Sequence, residues 1–488
     1  MSFIFLLALI FVFVFFINHF LFGIKNLPPG PNLWQFLCNI SPLLKKPHVA
    51  LQNLAKTYGP LMSIRIGGQL LIVATSPDVV KEIHKTHNRI FSGRYLPSFY
   101  YYIPDTKDAS LTMAKECNDT WRFLRGIGRG CIFSTSAIES ASTMRKSKVI
   151  EMVNFVRNKK QGKVLNIEDT VYATFANIIT NVMISRNLFS VEGKSANDVK
   201  VMKFLQEVID KSSKLGLADM FPGLKVVDFW SRGKAMHIYD NSNLIWTDLI
   251  KERRSTKDKT NSSQDFFDVL DENLFSDVQI ALLLTELLIG GTDSTTITSI
   301  WLMTELIKNQ EVLSRVRNEI RNHAIKENEI DESLLSECQY FHACIKESLR
   351  LHVPGPFAVP HRATDTCNVN GYVIPKDSVV LVNAWAIQVD HNNWEDASSF
   401  KPERFLDSKI DFRGADFEFI PFGTGQRMCP GANVAIKNVR LVVASLLHYF
   451  EWSLPNGVDP SKLDTSDEIG TTLKKAQPLC LIPTWIGK

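Results

Sequence analysis

The stretch that most constrains this chain is a glycine-rich loop with one cysteine, Phe422–Gly431, followed by a helix-like run over 432–447. Its glycines allow tight, partly left-handed backbone conformations. Such a loop can turn N–H groups toward the sulfur of Cys429, and the following helix adds the positive end of its dipole. Both effects favour the thiolate, which is the form that binds a metal. The alternative is a buried cysteine in a turn before a core helix, which is the commoner role of a lone cysteine.

The spacing Phe-x-x-Gly-x-Arg-x-Cys-x-Gly in this loop resembles the haem-binding signature of the cytochrome P450 family. The resemblance implies haem b, iron protoporphyrin IX, with Cys429 as the axial thiolate ligand that favours O–O cleavage. Phe422 and Gly431 frame the cofactor-binding loop, and Arg427 is expected to contact a haem propionate. The implied fold is mainly α with a small β region, in one large haem-binding body.

Composition agrees with one globular body and excludes several classes of protein. Hydrophobic residues make up 45% of the 488 residues and charged residues 22%, which is ordinary for a protein with a large core. The formal charge of +4, with no basic stretch interleaved with aromatics, gives no support for a nucleic-acid partner. The eight cysteines form no Cys-x-x-Cys pair, so neither a zinc site nor a disulfide framework is indicated.

Residues 1–24 are predicted to form a transmembrane anchor. Residues 2–24 carry no formal charge with histidine neutral, and about 20 apolar residues span a bilayer. A cleaved signal peptide would have a shorter apolar run that ends in small residues. The nearest basic residues, including Lys25, all follow the run, so the N-terminus should face the lumen and the body the cytosol.

The anchor is followed by a predicted proline-rich hinge over 25–33 and a haem-thiolate catalytic domain over 34–488. Prolines 28, 29 and 31 prevent the anchor helix from continuing. The arrangement is similar to that of microsomal members of the family. It implies a single-pass protein of the endoplasmic reticulum membrane, in contact with lipid.

Residues 277–306 form the longest apolar periodic segment, which predicts a long helix interrupted at 290–295, Gly-Gly-Thr-Asp-Ser-Thr. Each glycine costs roughly 1 kcal/mol relative to alanine in a helix, so close approach or a bulge is expected there. A glycine-weakened core helix is the alternative. The segment resembles the family's Gly-Gly-x-Asp-Thr-Thr oxygen-activation motif, which makes Asp293 and Ser294 the expected proton-delivery pair. Ser294 replaces the first threonine and lacks the methyl group that restricts rotation.

Two further motifs of the family place residues around the haem. Trp121 and Arg125 lie one helical turn apart and resemble its Trp-x-x-x-Arg, whose donors hold a propionate. Without the resemblance they would be part of an ordinary amphipathic helix. His361 also lies where a propionate partner is expected. The elements Glu-x-x-Arg and Pro-Glu-Arg-Phe imply a buried ion network of Glu347, Arg350 and Arg404 that braces the cysteine loop, although an isolated pair on the surface would contribute little.

Candidate substrate contacts come from four segments. The loop 95–110 holds four of the ten tyrosines between 95 and 102, and the family's corresponding loop lines the substrate cavity. A cationic amine would need an acidic or aromatic wall, for which Tyr100 to Tyr102, Asp105 and Glu286 are candidates. The full set of expected contacts is Tyr101, Glu286, Gly290, Phe357, Val359 and Thr471.

The resemblance implies a monooxygenase that receives NADPH-derived electrons from NADPH-cytochrome P450 reductase. Segments 382–387, 410–423 and 452–457 are similar to those of plant specialised metabolism, above all the alkaloid group that includes N-methylcoclaurine 3'-hydroxylase and littorine mutase. A small apolar or amine-containing substrate, such as a tropane or benzylisoquinoline alkaloid, would be hydroxylated or oxidatively rearranged. An oxygen-independent haem-thiolate isomerase and a non-enzymatic haem sensor or scaffold are the alternatives.

The reductase-binding surface departs from the usual pattern of the family. Many relatives carry a basic residue where this chain has Gln426. Attraction to an acidic reductase is therefore expected to depend on other basic residues, namely Arg122, Arg129, Lys437 and Arg440.

Overall fold

A computed structural model describes residues 26–487 except 104–108, 192–195, 214–215, 222, 225–227, 256–263 and 471. The predicted anchor over 1–24 and two of the candidate substrate contacts, Asp105 and Thr471, lie outside the described residues.

The described chain is mainly helical, as the sequence predicts. The α-helices are α1 (Leu33–Cys38), α2 (Ile40–Lys45), α3 (Pro47–Tyr58), α4 (Pro77–Lys81), α5 (Asp119–Gly128), α6 (Thr135–Ser140), α7 (Ser142–Phe155), α8 (Ile167–Ile184), α9 (Ala196–Ser213), α10 (Leu217–Met220), α11 (Phe229–Ser255), α12 (Phe266–Glu272), α13 (Asp277–Lys308), α14 (Gln310–His323), α15 (Gln339–Leu351), α16 (Ala384–Gln388) and α17 (Ala432–Tyr449). Helix α4 ends at Lys81, and the chain continues directly as a π-helical turn, Glu82–Thr86.

The small β region consists of short strands. They are β1 (Leu61–Ile66), β2 (Gln69–Ala74), β3 (Gly93–Arg94), β4 (Leu165–Asn166), β5 (Ile325–Lys326), β6 (Glu329–Ile330), β7 (His361–Arg362), β8 (Cys367–Val369), β9 (Tyr372–Ile374), β10 (Val379–Val382), β11 (Phe450–Ser453), β12 (Asp467–Ile469), β13 (Leu473–Lys475) and β14 (Cys480–Trp485). The largest sheet has the order β1-β2-β10-β7-β3, with β10 parallel to β2 and its other pairs antiparallel. Strands β1 and β2 form a hairpin, in which Ile66 pairs with Gln69 across Gly67 and Gly68.

Helix α13 is the central element of the fold. A capping box begins it, because the Ser276 hydroxyl accepts from the Gln279 N–H and the Gln279 side chain accepts from the Ser276 N–H. At Gly291 a Cβ would lie 2.8 Å from Cδ1 of Ile179, so the glycine permits close packing against α8. By length and composition α13 could cross a membrane, but 56% of its most apolar window is buried inside the protein, which identifies a core helix.

The proline-rich segment is docked on the body. The backbone N–H of Ser63 donates to the carbonyl of Pro29 at 2.9 Å, and the Ser63 hydroxyl donates to the carbonyl of Pro28 at 2.7 Å. A Cβ on Gly30 would lie 1.7 Å from the Ser63 carbonyl oxygen, so only glycine fits. The part of the predicted hinge that is described therefore runs along β1.

The ion network predicted from two separate motifs is present, with Glu347 and Arg350 fully buried and Arg404 at its edge. The Arg350 guanidinium donates to both carboxylate oxygens of Glu347, at 2.8 and 2.9 Å, and Arg404 Nε donates to Glu347 Oε1 at 3.0 Å. Arg350 also donates to the carbonyl of Gln388, whose side-chain oxygen accepts from the N–H of Ile420 at 3.0 Å. The network thus reaches the chain two residues before the cysteine loop.

Removing the central carboxylate should destabilise the whole body. Glu347→Ala leaves Arg350 buried without its ion partner, and breaking a buried pair costs roughly 3–5 kcal/mol. We expect a lower urea midpoint for the holoenzyme and a smaller yield of folded protein. Asp396→Asn is the control, because it breaks a solvent-exposed ion pair with the neighbouring Lys401. Equal midpoints for both variants would contradict a structural role for Glu347.

Candidate active site

A cavity of about 370 Å³ lies between α13 and the cysteine loop. Cys429 lines one wall, and the α13 residues Gly290 and Ser294 line the opposite wall. Residues from the segment before β7, among them Phe357 and Val359, close one side. The predicted oxygen-side helix and the predicted ligand loop therefore face each other across one space.

The cysteine loop is shaped by left-handed glycines, but not by all three that the sequence suggests. Gly423 and Gly425 have φ of +71° and +75°, whereas Gly431 has φ of −88° and begins α17. The N–H of Cys429 donates to the carbonyl of Phe422 at 3.0 Å, which closes the loop. The sulfur keeps accessible surface, and that surface faces the cavity.

Two opposing effects act on the Cys429 thiol. Burial raises the pKa of the Cys429 thiol, while the Gly431 N–H and the Arg125 charge lower it by less. The loop N–H and the Arg125 charge thus act toward the thiolate, and burial opposes them more strongly. Binding of a metal would have to displace the proton, as is usual for cysteine ligands.

One end of the cavity collects three guanidinium groups. Arg427 donates to the carbonyls of Ser92 and Ala114 at 2.9 and 2.6 Å, and its third nitrogen, Nη1, is buried without a partner. Arg125 donates at 3.2 Å to the carbonyl of Met428, the residue before Cys429.

Arg94, from β3, is the third of these groups, and no sequence motif indicated it. It is 5% exposed, and burial together with the charge of Arg427 lowers its pKa to about 9. Within the described part of the chain, no carboxylate lies at ion-pair distance from Arg94, Arg125 or Arg427. This end of the cavity is suited to an anionic group.

Trp121, predicted from the motif to hold a propionate, has a hydrogen-bond partner within the protein. Its indole N–H donates to the carbonyl of Leu111 at 3.0 Å, so this donor is already engaged. Its ring instead lies under two cations, with the guanidinium carbons of Arg427 and Arg125 at 4.6 and 5.3 Å from the ring centroid. Trp121 therefore supports the arginines through cation–π contacts.

His361 is buried in the same wall, beside a histidine that sequence reasoning missed. His361 Nδ1 donates to the carbonyl of Phe91 at 2.6 Å. The ring of His84 lies 4.5 Å from it and also lines the cavity. Burial holds the pKa of both rings below the usual value for histidine.

The predicted proton-delivery pair is divided between two environments. Ser294 lines the cavity, and its hydroxyl donates to the carbonyl of Gly290 at 2.9 Å. Asp293 does not line the cavity, and it accepts a hydrogen bond of 2.8 Å from the hydroxyl of Thr472, in the turn between β12 and β13. Burial raises the pKa of Asp293, whereas the Thr472 bond and the Lys474 charge lower it. Thr472 lines the cavity, so it connects the acid with that space.

Glu286 places a carboxylate in the cavity wall one turn before Gly290. It accepts hydrogen bonds from the Ser110 hydroxyl and from the N–H of Leu111, the latter at 2.9 Å. The N–H of Met113 donates to the Ser110 hydroxyl at 2.7 Å and so helps to hold the first of these donors in place. Burial nevertheless raises its pKa, because these bonds only partly offset the loss of water.

The aromatic loop mostly packs on the body, which corrects one expected substrate contact. Tyr101 is 51% exposed and does not line the cavity. Phe99, Tyr100 and Tyr102 pack against Ile238 of α11. Residues that line the cavity and that no motif indicated include Ile179, Val182, Met183 and Thr298.

Two of the four basic residues expected at the reductase surface are exposed. Arg122 and Arg129 lie at the surface of α5 and the turn after it. Lys437 pairs with Glu139, and Arg440 bonds to His342 and is mostly withdrawn from solvent. The exposed basic residues lie on the helix that contacts the cysteine loop through Arg125.

The residues present fit a haem. Cys429 offers a sulfur ligand on one wall, and the unpartnered Nη1 of Arg427 marks a missing acceptor at the cationic end. A porphyrin with two carboxylates supplies both a metal for the thiol and anions for the arginines. Leu111, Ile179 and other apolar side chains provide the walls between these ends.

Comparisons with known proteins agree with this site. The family model described as Cytochrome P450 matches residues 28–480. The chain is 40% identical over 463 residues to "Probable (S)-N-methylcoclaurine 3'-hydroxylase isozyme 2" of Coptis japonica, covering 94% of this chain and 93% of the relative. It is 37% identical over 461 residues to "(S)-N-methylcoclaurine 3'-hydroxylase isozyme 1" of Papaver somniferum, covering 94% and 95%. It is also 37% identical over 464 residues to "Corytuberine synthase" of Coptis japonica, covering 94% of each.

Cys429→Ala should remove the metal ligand while leaving the cavity intact. We expect loss of the CO-difference spectrum typical of a haem thiolate, because alanine offers no sulfur. Cys367→Ala, at a free cysteine in β8 outside the cavity, is the control and should keep the spectrum. A thiolate spectrum in the Cys429 variant would show that another residue binds the iron.

Thr472→Val should raise the pKa of Asp293 further, since it removes the hydroxyl that lowers it. The measurement is a pH titration of the Asp293 carboxyl band by infrared difference spectroscopy, with Asp293→Asn used to assign the band. Thr472→Ser keeps the hydroxyl and should titrate close to the unmodified enzyme. The same titration midpoint in the valine and serine variants would refute the contact.

Proposed function

The chain belongs to the cytochrome P450 family and is a haem-thiolate monooxygenase supplied with electrons from NADPH through a reductase, and we propose that its substrate is an amine alkaloid of plants. The observation that carries the proposal is Glu286, a buried carboxylate in an otherwise largely apolar cavity wall. The names of the relatives support the same class, in particular a benzylisoquinoline such as N-methylcoclaurine. They favour oxidation over oxygen-independent isomerisation or haem sensing.

Glu286 provides the negative charge that attracts the positively charged amine of the substrate. Its oxygens already bond to Ser110 and to backbone N–H groups, which fix the carboxylate in place. A substrate ammonium beside it would compensate the charge whose burial raises the carboxyl pKa. Phe357 and Val359 supply apolar contacts for the rest of the molecule. An amine is thereby held at one end and left free to present a carbon to the Cys429 side.

We propose that Cys429 is the ligand of the haem iron. Arg94, Arg125 and Arg427 would bind the haem carboxylates. When bound, this group supplies the activation of dioxygen and the oxidation of the substrate, with one oxygen atom leaving as water. The protein's part is to bind, orient and deliver protons. Its apolar walls also exclude bulk water from the reacting atoms.

Protons are supplied from the α13 side. Burial raises the pKa of Asp293 above that of a free carboxyl, which suits this group to pass protons on. Ser294 places a hydroxyl on the cavity wall, and it can turn from its bond to Gly290 to give and receive a proton. Thr472 provides a second hydroxyl between Asp293 and the cavity.

The described surface supports membrane attachment of a catalytic domain over 34–488. Trp34 and Leu44, on α1 and α2, are 75% and 78% exposed, and Phe229 and Trp230 at the start of α11 are similarly exposed. Such residues suit contact with lipid. We propose an endoplasmic reticulum protein with the anchor over 1–24, the connecting segment over 25–33, and the body in the cytosol. NADPH-cytochrome P450 reductase would bind near Arg122 and Arg129.

The function is tested with the full chain and a microsomal NADPH-cytochrome P450 reductase in phospholipid vesicles. N-methylcoclaurine and littorine are compared with N-acyl analogues of the same skeletons, which carry no positive charge. We expect substrate-dependent NADPH consumption and an oxidised product for at least one amine. A normal CO-difference spectrum without turnover of any amine would contradict the proposed substrate class.

Glu286→Gln should separate charge from shape. Glutamine keeps an oxygen acceptor for Ser110 or Leu111 but removes the negative charge. We expect KM for the amine to rise about tenfold, equivalent to about 1.4 kcal/mol, with KM for the N-acyl analogue nearly unchanged. An equal rise for both substrates would mean that Glu286 only organises the wall.

A further inference from the structure

We propose that His84 is a further cofactor-binding residue, whose imidazole donates a hydrogen bond to a carboxylate of the haem. It would act at the cationic end of the cavity, beside Arg94 and His361. The inference depends on haem binding and not on the identity of the substrate.

His84 is buried without any hydrogen bond. It belongs to the π-helical turn after α4, is 4% exposed, and neither ring nitrogen has a partner within the described residues. Buried polar groups almost always have a partner, and an unsatisfied one is costly. Because the ring lines the cavity, a group bound there is the nearest source of that partner.

The neighbours of His84 define the chemistry of the missing partner. Its ring lies 4.5 Å from the ring of His361, and burial together with the Arg94 charge lowers its pKa to about 4. The ring is therefore neutral at physiological pH and carries one N–H. In a region with an excess of positive charge, the acceptor for that N–H is best supplied by an anion. A half-turn about the Cβ–Cγ bond exchanges the nitrogen and carbon edges of the ring without changing its outline.

His361 cannot fill this role while it is neutral. Its Nδ1 donates to the carbonyl of Phe91, so the proton of the neutral ring is on Nδ1 and Nε2 can only accept. Neither ring nitrogen of His84 is hydrogen-bonded within the described residues, so its proton can be on either nitrogen. Of the two histidines in this wall, His84 is the one with an N–H to give.

Backbone packing holds His84 close to the ligand loop. A Cβ on Gly425 would lie 3.0 Å from the His84 carbonyl oxygen and 2.8 Å from Oδ1 of Asn88. Asn88 also accepts from the N–H of Gln426 at 3.1 Å. The turn that carries His84 is thus fixed against the loop that carries Cys429.

The test is the rate of haem transfer from the holoenzyme to apomyoglobin, measured without substrate. His84→Leu removes the donor and keeps an apolar side chain, and we expect about tenfold faster transfer, as for the loss of one hydrogen bond to a charged acceptor. His84→Gln keeps an N–H donor and should recover most of the retention. Transfer from His84→Leu at the unmodified rate would overturn the proposal.

A matched control separates this effect from general destabilisation. His48 is also buried with neither ring nitrogen hydrogen-bonded, although its Nε2 lies 4.0 Å from Asp467 Oδ2; it packs on the Trp385 ring and does not line the cavity. His48→Leu should leave haem transfer unchanged. If both leucine variants lose haem equally fast, buried histidines in general, and not His84 in particular, set the rate.

The carboxylate itself is tested with enzyme reconstituted with iron protoporphyrin IX dimethyl ester. With the acids esterified, unmodified enzyme and His84→Leu should lose the porphyrin at similar rates. A difference that persists with the ester would show that His84 contacts another partner, such as a buried water, and would refute the proposal.

Discussion

The structure depends on a concentration of positive charge that the described chain does not neutralise. Arg94, Arg125 and Arg427 meet at one end of the cavity, and burial lowers the pKa of all three. Backbone carbonyls accept some of their N–H groups, but they do not cancel the repulsion. An anionic occupant removes most of this cost, so binding of the cofactor stabilises the folded protein. The empty and the loaded protein therefore differ in stability as well as in activity.

Residues close together in sequence made part of the site predictable. Glu347 and Arg350 are one helical turn apart, so their pairing follows from helix geometry alone. The cysteine loop is similarly local, because the N–H of Cys429 bonds to Phe422 within the motif itself. The mainly helical fold with a small β region followed from motifs in their order along the chain. Arg404 joins the network from 57 residues away and was reached only through the family resemblance.

The sequence does not determine the direction of side chains or the identity of distant partners. Asp293 and Ser294 are neighbours on a helix, so their side chains diverge by about 100° and only one can face the cavity. The partner of Asp293, Thr472, is 179 residues away. Arg94 and His84 belong to no motif, and folding alone brings them beside the cysteine loop. The thiol pKa depends on burial, which a pattern of residues does not measure.

Helix α13 alone sets the relative positions of the side chains on the cavity wall that faces Cys429. The helix has 32 residues and is about 48 Å long. It carries Glu286, the cavity wall over Gly290–Thr298, and Trp301. The Trp301 indole donates to the carbonyl of Leu473 and so holds the turn that bears Thr472. Inserting or deleting one residue would rotate everything beyond it by about 100° and separate these contacts at once. Single side-chain substitutions on α13 can therefore change substrate preference and leave these contacts in place, whereas a change in the length of the helix cannot.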